Sequence, residues 1–186
     1  MRRTMGLLVA CGVLGGISGA FAQPTPGAPG APGAAGPPPN GADQVVGLFG
    51  ATCLQFPGNP QGVRGWLKQQ GAPAMPDQAR AAFLAGRAGQ VFDVSLPGVN
   101  LALVSLDDGG CEAVAEKANP AEVQSSLQQS AQEAHATLTP LGAQSDHAAN
   151  GVQHTAYMLV TNGRQMHVLV ATAPSSPQAV IALAPK

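Results

Sequence analysis

Charge is the first thing this sequence lacks. Asp, Glu, Lys and Arg make up 10% of its 186 residues, where a soluble domain usually carries about a quarter. The nine Lys and Arg are scattered, which excludes a nucleic-acid binder, because phosphate neutralisation needs clustered basic residues. So little charge also argues against a charged disordered tail and a coiled coil. Aromatics are scarce too, with one Trp, one Tyr and five Phe. The core must therefore be aliphatic, and the stacking platforms of sugar or single-strand binders are missing. No Gly-x-Gly-x-x-Gly or Gly-x-x-x-x-Gly-Lys stretch offers a phosphate loop. No Gly-x-Ser-x-Gly or Ser-x-x-Lys presents a serine nucleophile. The three Cys include no Cys-x-x-Cys. Nothing in the sequence names a reaction or a cofactor.

What is present begins with an address. Arg2 and Arg3 precede an apolar run from Met5 to Phe21, which ends in Ala20-Phe21-Ala22. A basic start, an apolar stretch and small residues at the first and third positions before a cut describe a secretory signal peptide over 1–22. Cleavage after Ala22 would leave a periplasmic or secreted chain with no transmembrane span. Two rival readings are an uncleaved anchor, for which the run is short and loosened by glycine, and a lipoprotein acylated at Cys11. The second requires Leu8-Val9-Ala10-Cys11 to act as a lipobox only a few residues after Arg3. Twin-arginine export from Arg2-Arg3 is a third reading, although two arginines right after Met1 are ordinary for any basic start.

Residues 23–42 form a linker of Pro, Gly and Ala. Four Gly-X-Y triplets run in register from Gly27 to Pro38, too few to hold a collagen triple helix. The expected form is a semi-extended spacer rich in polyproline II. Removing the signal leaves seven basic and ten acidic residues, so an anionic membrane surface is a poor target.

Residues 43–186 have the size of one domain. Asp43 is placed to cap a helix reaching Phe56, with Val45, Leu48, Phe49, Thr52 and Cys53 on one face. Asn59-Pro60 starts a second helix and Asp77 a third. Gln90–Leu96, Leu101–Leu106 and Cys111–Glu116 read as strands separated by turn residues. Asn119-Pro120-Ala121-Glu122 opens a long helix, expected to reach Leu138. Asn162-Gly163 joins Thr155–Thr161 to Arg164–Thr172 as a tight hairpin, and Ala179–Leu183 is a final strand. The hairpin register places Leu159 opposite Met166, Tyr157 opposite Val168, and Met158 opposite His167. The pattern predicts an α+β domain, with an antiparallel sheet of about five to seven strands packed by one long helix and short N-terminal helices.

Cys53 and Cys111 are the thiols left after cleavage. In an exported chain they most simply form one structural disulfide, and a catalytic thiol is the alternative. His154, Met158 and His167 are candidate copper or zinc ligands. Against that, His154 lies nearer Ala171 than His167, and no HxH or HxxxH spacing occurs. Asp107-Asp108 reads as a polar turn, because a Ca²⁺ loop would need further oxygen ligands. Trp66, flanked by Arg64 and Lys68, is either a packing anchor or an exposed binding spot.

Leu48-Phe49 with Cys53, and the run from Leu101 to Cys111, resemble a loose group of short exported bacterial proteins of periplasmic or lipoprotein type. That resemblance implies a helix carrying one Cys and a strand carrying the other, and no activity. The expected role is a non-enzymatic exported domain that binds a protein or envelope partner. A small-ligand or metal carrier in the periplasm is the alternative, and a hydrolase of unrecognised type a third.

Overall fold

A computed structural model describes residues 40–145, 152–173 and 176–184. Residues 38–186 form one compact unit. The expected signal peptide and nearly all of the expected linker lie outside the described residues, as do His147 and Cys11. The fold is α+β. Helices α1 (Gly41–Phe49), α2 (Pro60–Gln69), α3 (Asp77–Leu84) and α4 (Pro120–Glu133) accompany seven antiparallel strands. These are β1 (Gly89–Asp93), β2 (Leu101–Leu106), β3 (Cys111–Ala115), β4 (Thr137–Ser145), β5 (Gln153–Thr161), β6 (Arg164–Ala173) and β7 (Ser176–Leu183). Their order in the sheet is β1-β2-β3-β7-β6-β5-β4. Two meanders, β1–β3 and β4–β7, therefore meet along one seam where β3 pairs with β7.

The inner face of the sheet carries the main core. Leu101, Leu103, Ala113, Tyr157, Leu159, Val168, Val170 and Ile181 pack there with residues of α1, α2 and α4. The outer face is covered over β1–β3, where α3 contributes Leu84 and Phe83 to a cluster with Val91, Ala102, Val104, Leu106 and Val114. Burial on both faces explains why β2 reads as an unbroken apolar run apart from Ser105, and every residue in it is buried. Along β5 burial alternates, with Tyr157 and Leu159 inside and Met158 and Val160 only half-buried.

Several boundaries differ from the sequence expectation. Asn40, not Asp43, caps α1, its side-chain oxygen accepting from the Asp43 amide at 2.8 Å. The first helix does not run unbroken to Phe56. It widens into a π-helical segment at Gly50–Leu54 that carries Cys53. Asp77 is the first residue of α3 rather than its cap. Pro76 precedes it without a side-chain cap, and Asp77 instead pairs with Arg80. The long helix stops at Glu133, because His135 takes a left-handed φ of 51°. Leu138 is therefore on β4, where Thr137 and Thr139 alternate with it as β-branched neighbours. The hairpin holds the predicted register, with Leu159 opposite Met166, Tyr157 opposite Val168 and Met158 opposite His167. Asn162 and Gly163 adopt φ of 49° and 72° at its turn, as a type I′ pair requires.

Candidate functional site

Asn59 accepts a hydrogen bond from the Gly62 amide at 3.0 Å and places Pro60 in the first turn of α2. Apolar residues at i, i+3 and i+4 then send Val63 and Leu67 inward and leave Trp66 half-buried against the core. Arg64 fixes this helix to the end of β2. Its guanidinium donates to the Ser105 carbonyl at 2.8 Å and to Ser105 Oγ at 3.2 Å, and it pairs with Asp107. Asp107 and Asp108 accordingly serve the turn, Asp108 accepting from the Gly110 amide at 2.9 Å.

The sulfurs of Cys53 and Cys111 lie 1.99 Å apart, with Cα atoms 5.5 Å apart. Both residues are buried. The link joins the π-helical end of the N-terminal helices to β3 beside the seam. Two buried sulfurs joined in this way have no free thiolate to act as a nucleophile.

A groove of about 480 Å³ opens between α1, α2 and the end of the β1–β2 hairpin. Its walls are Leu48, Trp66, Leu67 and Leu96, and Gly47 of α1 and Ala51 of the π-helical segment keep the floor low. Leu96 is 44% exposed, one of only two large apolar side chains so open among the described residues. It is held there by a tight turn, in which the Leu96 and Val99 backbones exchange hydrogen bonds of 2.9 Å across Pro97-Gly98. Gln44 and Gln70 supply amides, and Asp93 is the sole charged residue of the lining.

Asp93, Ser95 and Leu101 also line a second recess, of about 250 Å³, with Met75, Phe83, Ala102 and Val114. The Ala102 and Val114 walls belong to the outer face, so the two cavities lie on opposite sides of the Asp93–Ser95 rim. Glu116, Asn100 and Gln178 complete the second recess. The Ser95 side chain and amide both hydrogen-bond the Asp93 carboxylate and hold it below the usual carboxylate range; the amide contact is 3.0 Å. Asn100 donates to Glu116 at 2.8 Å. The three ion pairs among the described residues engage Asp107, Asp77 and Glu112, not Asp93 or Glu116.

The candidate metal ligands are only partly gathered. Met158 and His167 face each other across β5 and β6. His154 lies opposite Ala171, four positions from Met158 and so about 13 Å along the strand. No group of three or more His, Cys, Asp or Glu that could hold a metal occurs among the described residues. No helix among them is long and apolar enough to cross a membrane.

Sequence reasoning singled out Trp66 but missed the groove around it. Gln44, Trp66, Asp93 and Leu96 are distant in the chain and meet only through the fold. The one local hint was Leu96 itself, a large apolar residue placed directly at a Pro-Gly turn. The chain matches no family model, no curated protein and no solved structure.

Proposed function

We propose that this chain is an extracytoplasmic, non-catalytic binding domain, exported by residues 1–22 and carried on the Pro/Gly/Ala linker. The groove between α1, α2 and the β1–β2 turn is its docking site. The observation that carries this reading is the open apolar wall of Trp66, Leu48 and Leu96 around a volume in the range of small-ligand and side-chain pockets. Its one side-chain hydroxyl, Ser95 Oγ, is shared between the Asp93 carboxylate and the Leu101 backbone, whose amide donates to it at 3.1 Å. No His or Cys lines the groove. The Cys53–Cys111 pair supports a location outside the cytoplasm, since disulfides persist in oxidising compartments. The low net charge and scattered basic residues fit a protein or envelope partner better than a nucleic acid.

The single Trp of the chain makes the groove its own reporter. The neutral apolar dye N-phenyl-1-naphthylamine, titrated into the purified chain, should take up energy from Trp66 as it binds. Gly47→Leu sharpens the test. A Cβ at Gly47 meets nothing within 4 Å, and exchanging a helical Gly for Leu removes up to about 1 kcal/mol of propensity penalty. This variant should melt at a higher temperature and bind less dye. Dye binding unaffected by Gly47→Leu would overturn the groove as the site. Export has a separate test. A mature N-terminus at Gln23 supports it, and a lipidated Cys11 or a retained Met1 in the exported fraction overturns cleavage after Ala22.

A further inference from the structure

We infer that the groove and the acidic recess behind its rim together read an extended peptide that carries a large apolar side chain next to a lysine or arginine. This rests on the groove being a binding site and names what it takes. The first argument is charge complementarity. The two cavities contain Asp93 and Glu116 and no Lys, Arg or His in their linings. Lys117 follows Glu116 directly but lines neither cavity. Asp93, which accepts from the Ser95 amide, stands on the rim shared by both. A cation of the partner would meet two carboxylates that no basic side chain of the described residues neutralises, with Phe83 beside them as an aromatic face.

The second argument is the two-sided geometry. Successive side chains of an extended chain point to opposite sides. A segment lying along the Asp93–Ser95 rim would send its apolar residue into the groove against Trp66, Leu48 and Leu96. The next residue would then reach over the rim toward Glu116. Strand addition does not compete with this mode at β1. The outer edge of β1 is already taken, because the Met75 amide donates to the Val91 carbonyl at 2.8 Å and the Asp93 amide donates to the Pro73 carbonyl at 3.0 Å. Recognition therefore falls to side chains. The Gln44 and Gln70 amides, each both donor and acceptor, suit the backbone of such a segment.

The test uses fluorescein-labelled hexapeptides that differ only in a central pair, Leu-Lys, Leu-Ser or Leu-Glu, read by anisotropy with the purified chain. The Leu-Lys peptide should bind about tenfold more tightly than Leu-Ser at low ionic strength, and Leu-Glu more weakly than either. Glu116→Gln should reduce the Leu-Lys advantage. On the unaltered chain, high salt should erase that advantage by screening while leaving the neutral dye bound, a readout that does not depend on any variant folding. Equal binding of the three peptides with dye binding intact overturns this inference and leaves the groove reading standing. Failure of dye and peptides alike overturns both. Displacement of the dye by dodecyltrimethylammonium, with no binding of the Leu-Lys peptide, overturns the peptide in favour of a small cationic amphiphile.

Discussion

The two meanders of the sheet are built from similar residues and live in different surroundings. In β1–β3 both faces are covered, by α1 and α2 within and by α3 outside. In β4–β7 the inner face carries the core, while outward-facing residues such as Met158 and Val160 remain half-buried and His167 is exposed. The free edge differs as well. β1 is closed by Ala74, which bridges Phe92, whereas β4 carries Pro140 and a bulge that leaves Leu141 52% exposed. Apolar content alone thus does not decide burial. What decides it is whether a helix from elsewhere in the chain arrives to cover the second face. The candidate binding groove sits at the end of the doubly covered half, between α1, α2 and the β1–β2 turn.

The largest expected effect breaks the link between the helical cover and that half. Replacing Cys53 and Cys111 together by Ala removes a closed loop with a sequence separation of 58, and chain entropy assigns such a loop about 4 kcal/mol. Chemical denaturation should show a loss of that order, with amides of α1 exchanging faster than those of β5 and β6. A smaller effect compares one substitution on one face in the two halves. Val104 is fully buried under α3, so Val104→Thr strands a hydroxyl and should cost about 1–3 kcal/mol. Val160 lies on the same face of the other half and is half-buried. There Val160→Thr should stay within about 0.5 kcal/mol, because water reaches the hydroxyl. Equal costs at the two sites would erase the distinction between the halves.

The smallest effect concerns the rim. Ser95 lowers the Asp93 pKa below its ordinary value of 3.8. Its contribution to stability is therefore complete above that value and fades as the pH falls through the depressed folded pKa. Asp93 is exposed, so the change in stability is slight. Ser95→Ala should return the carboxyl toward 3.8 in an NMR titration. The Ser95 amide remains in this variant, so the return is partial, and an unmoved midpoint would mean that the Ser95 hydroxyl is not a cause.

Local chemistry made much of this fold readable. Asn59-Pro60 and Asn119-Pro120 mark helix starts through side chains that cap within three residues. Asn162-Gly163 sets the hairpin register because both residues tolerate positive φ. The α+β class, with one long helix on an antiparallel sheet, follows from the order of those signals. The unreadable parts depend on distant contacts. The end of α4 was placed too late, because Leu138 suits either a helical stripe or a strand. The π-helical widening at Gly50–Leu54 leaves no sequence period of its own. The Asp93–Ser95 rim joins cavities whose walls come from eight separate elements and the turns between them, so no spacing rule could assemble it.

The single seam of the sheet has a kinetic consequence. Each meander pairs strands that are neighbours in the chain and needs little loop closure to form. The pairing of β3 with β7 sets Cys111 against Leu183 and Ala115 against Ala179, across the whole of α4 and the second meander. Contacts that span so much chain form late. Destabilising changes confined to the seam should then act mainly on unfolding, whereas changes in the hairpin turn at Asn162-Gly163, if that turn nucleates, should act mainly on folding. The molecule would assemble as two ribbons that close last along one line, with Cys111 standing at the end of that closure.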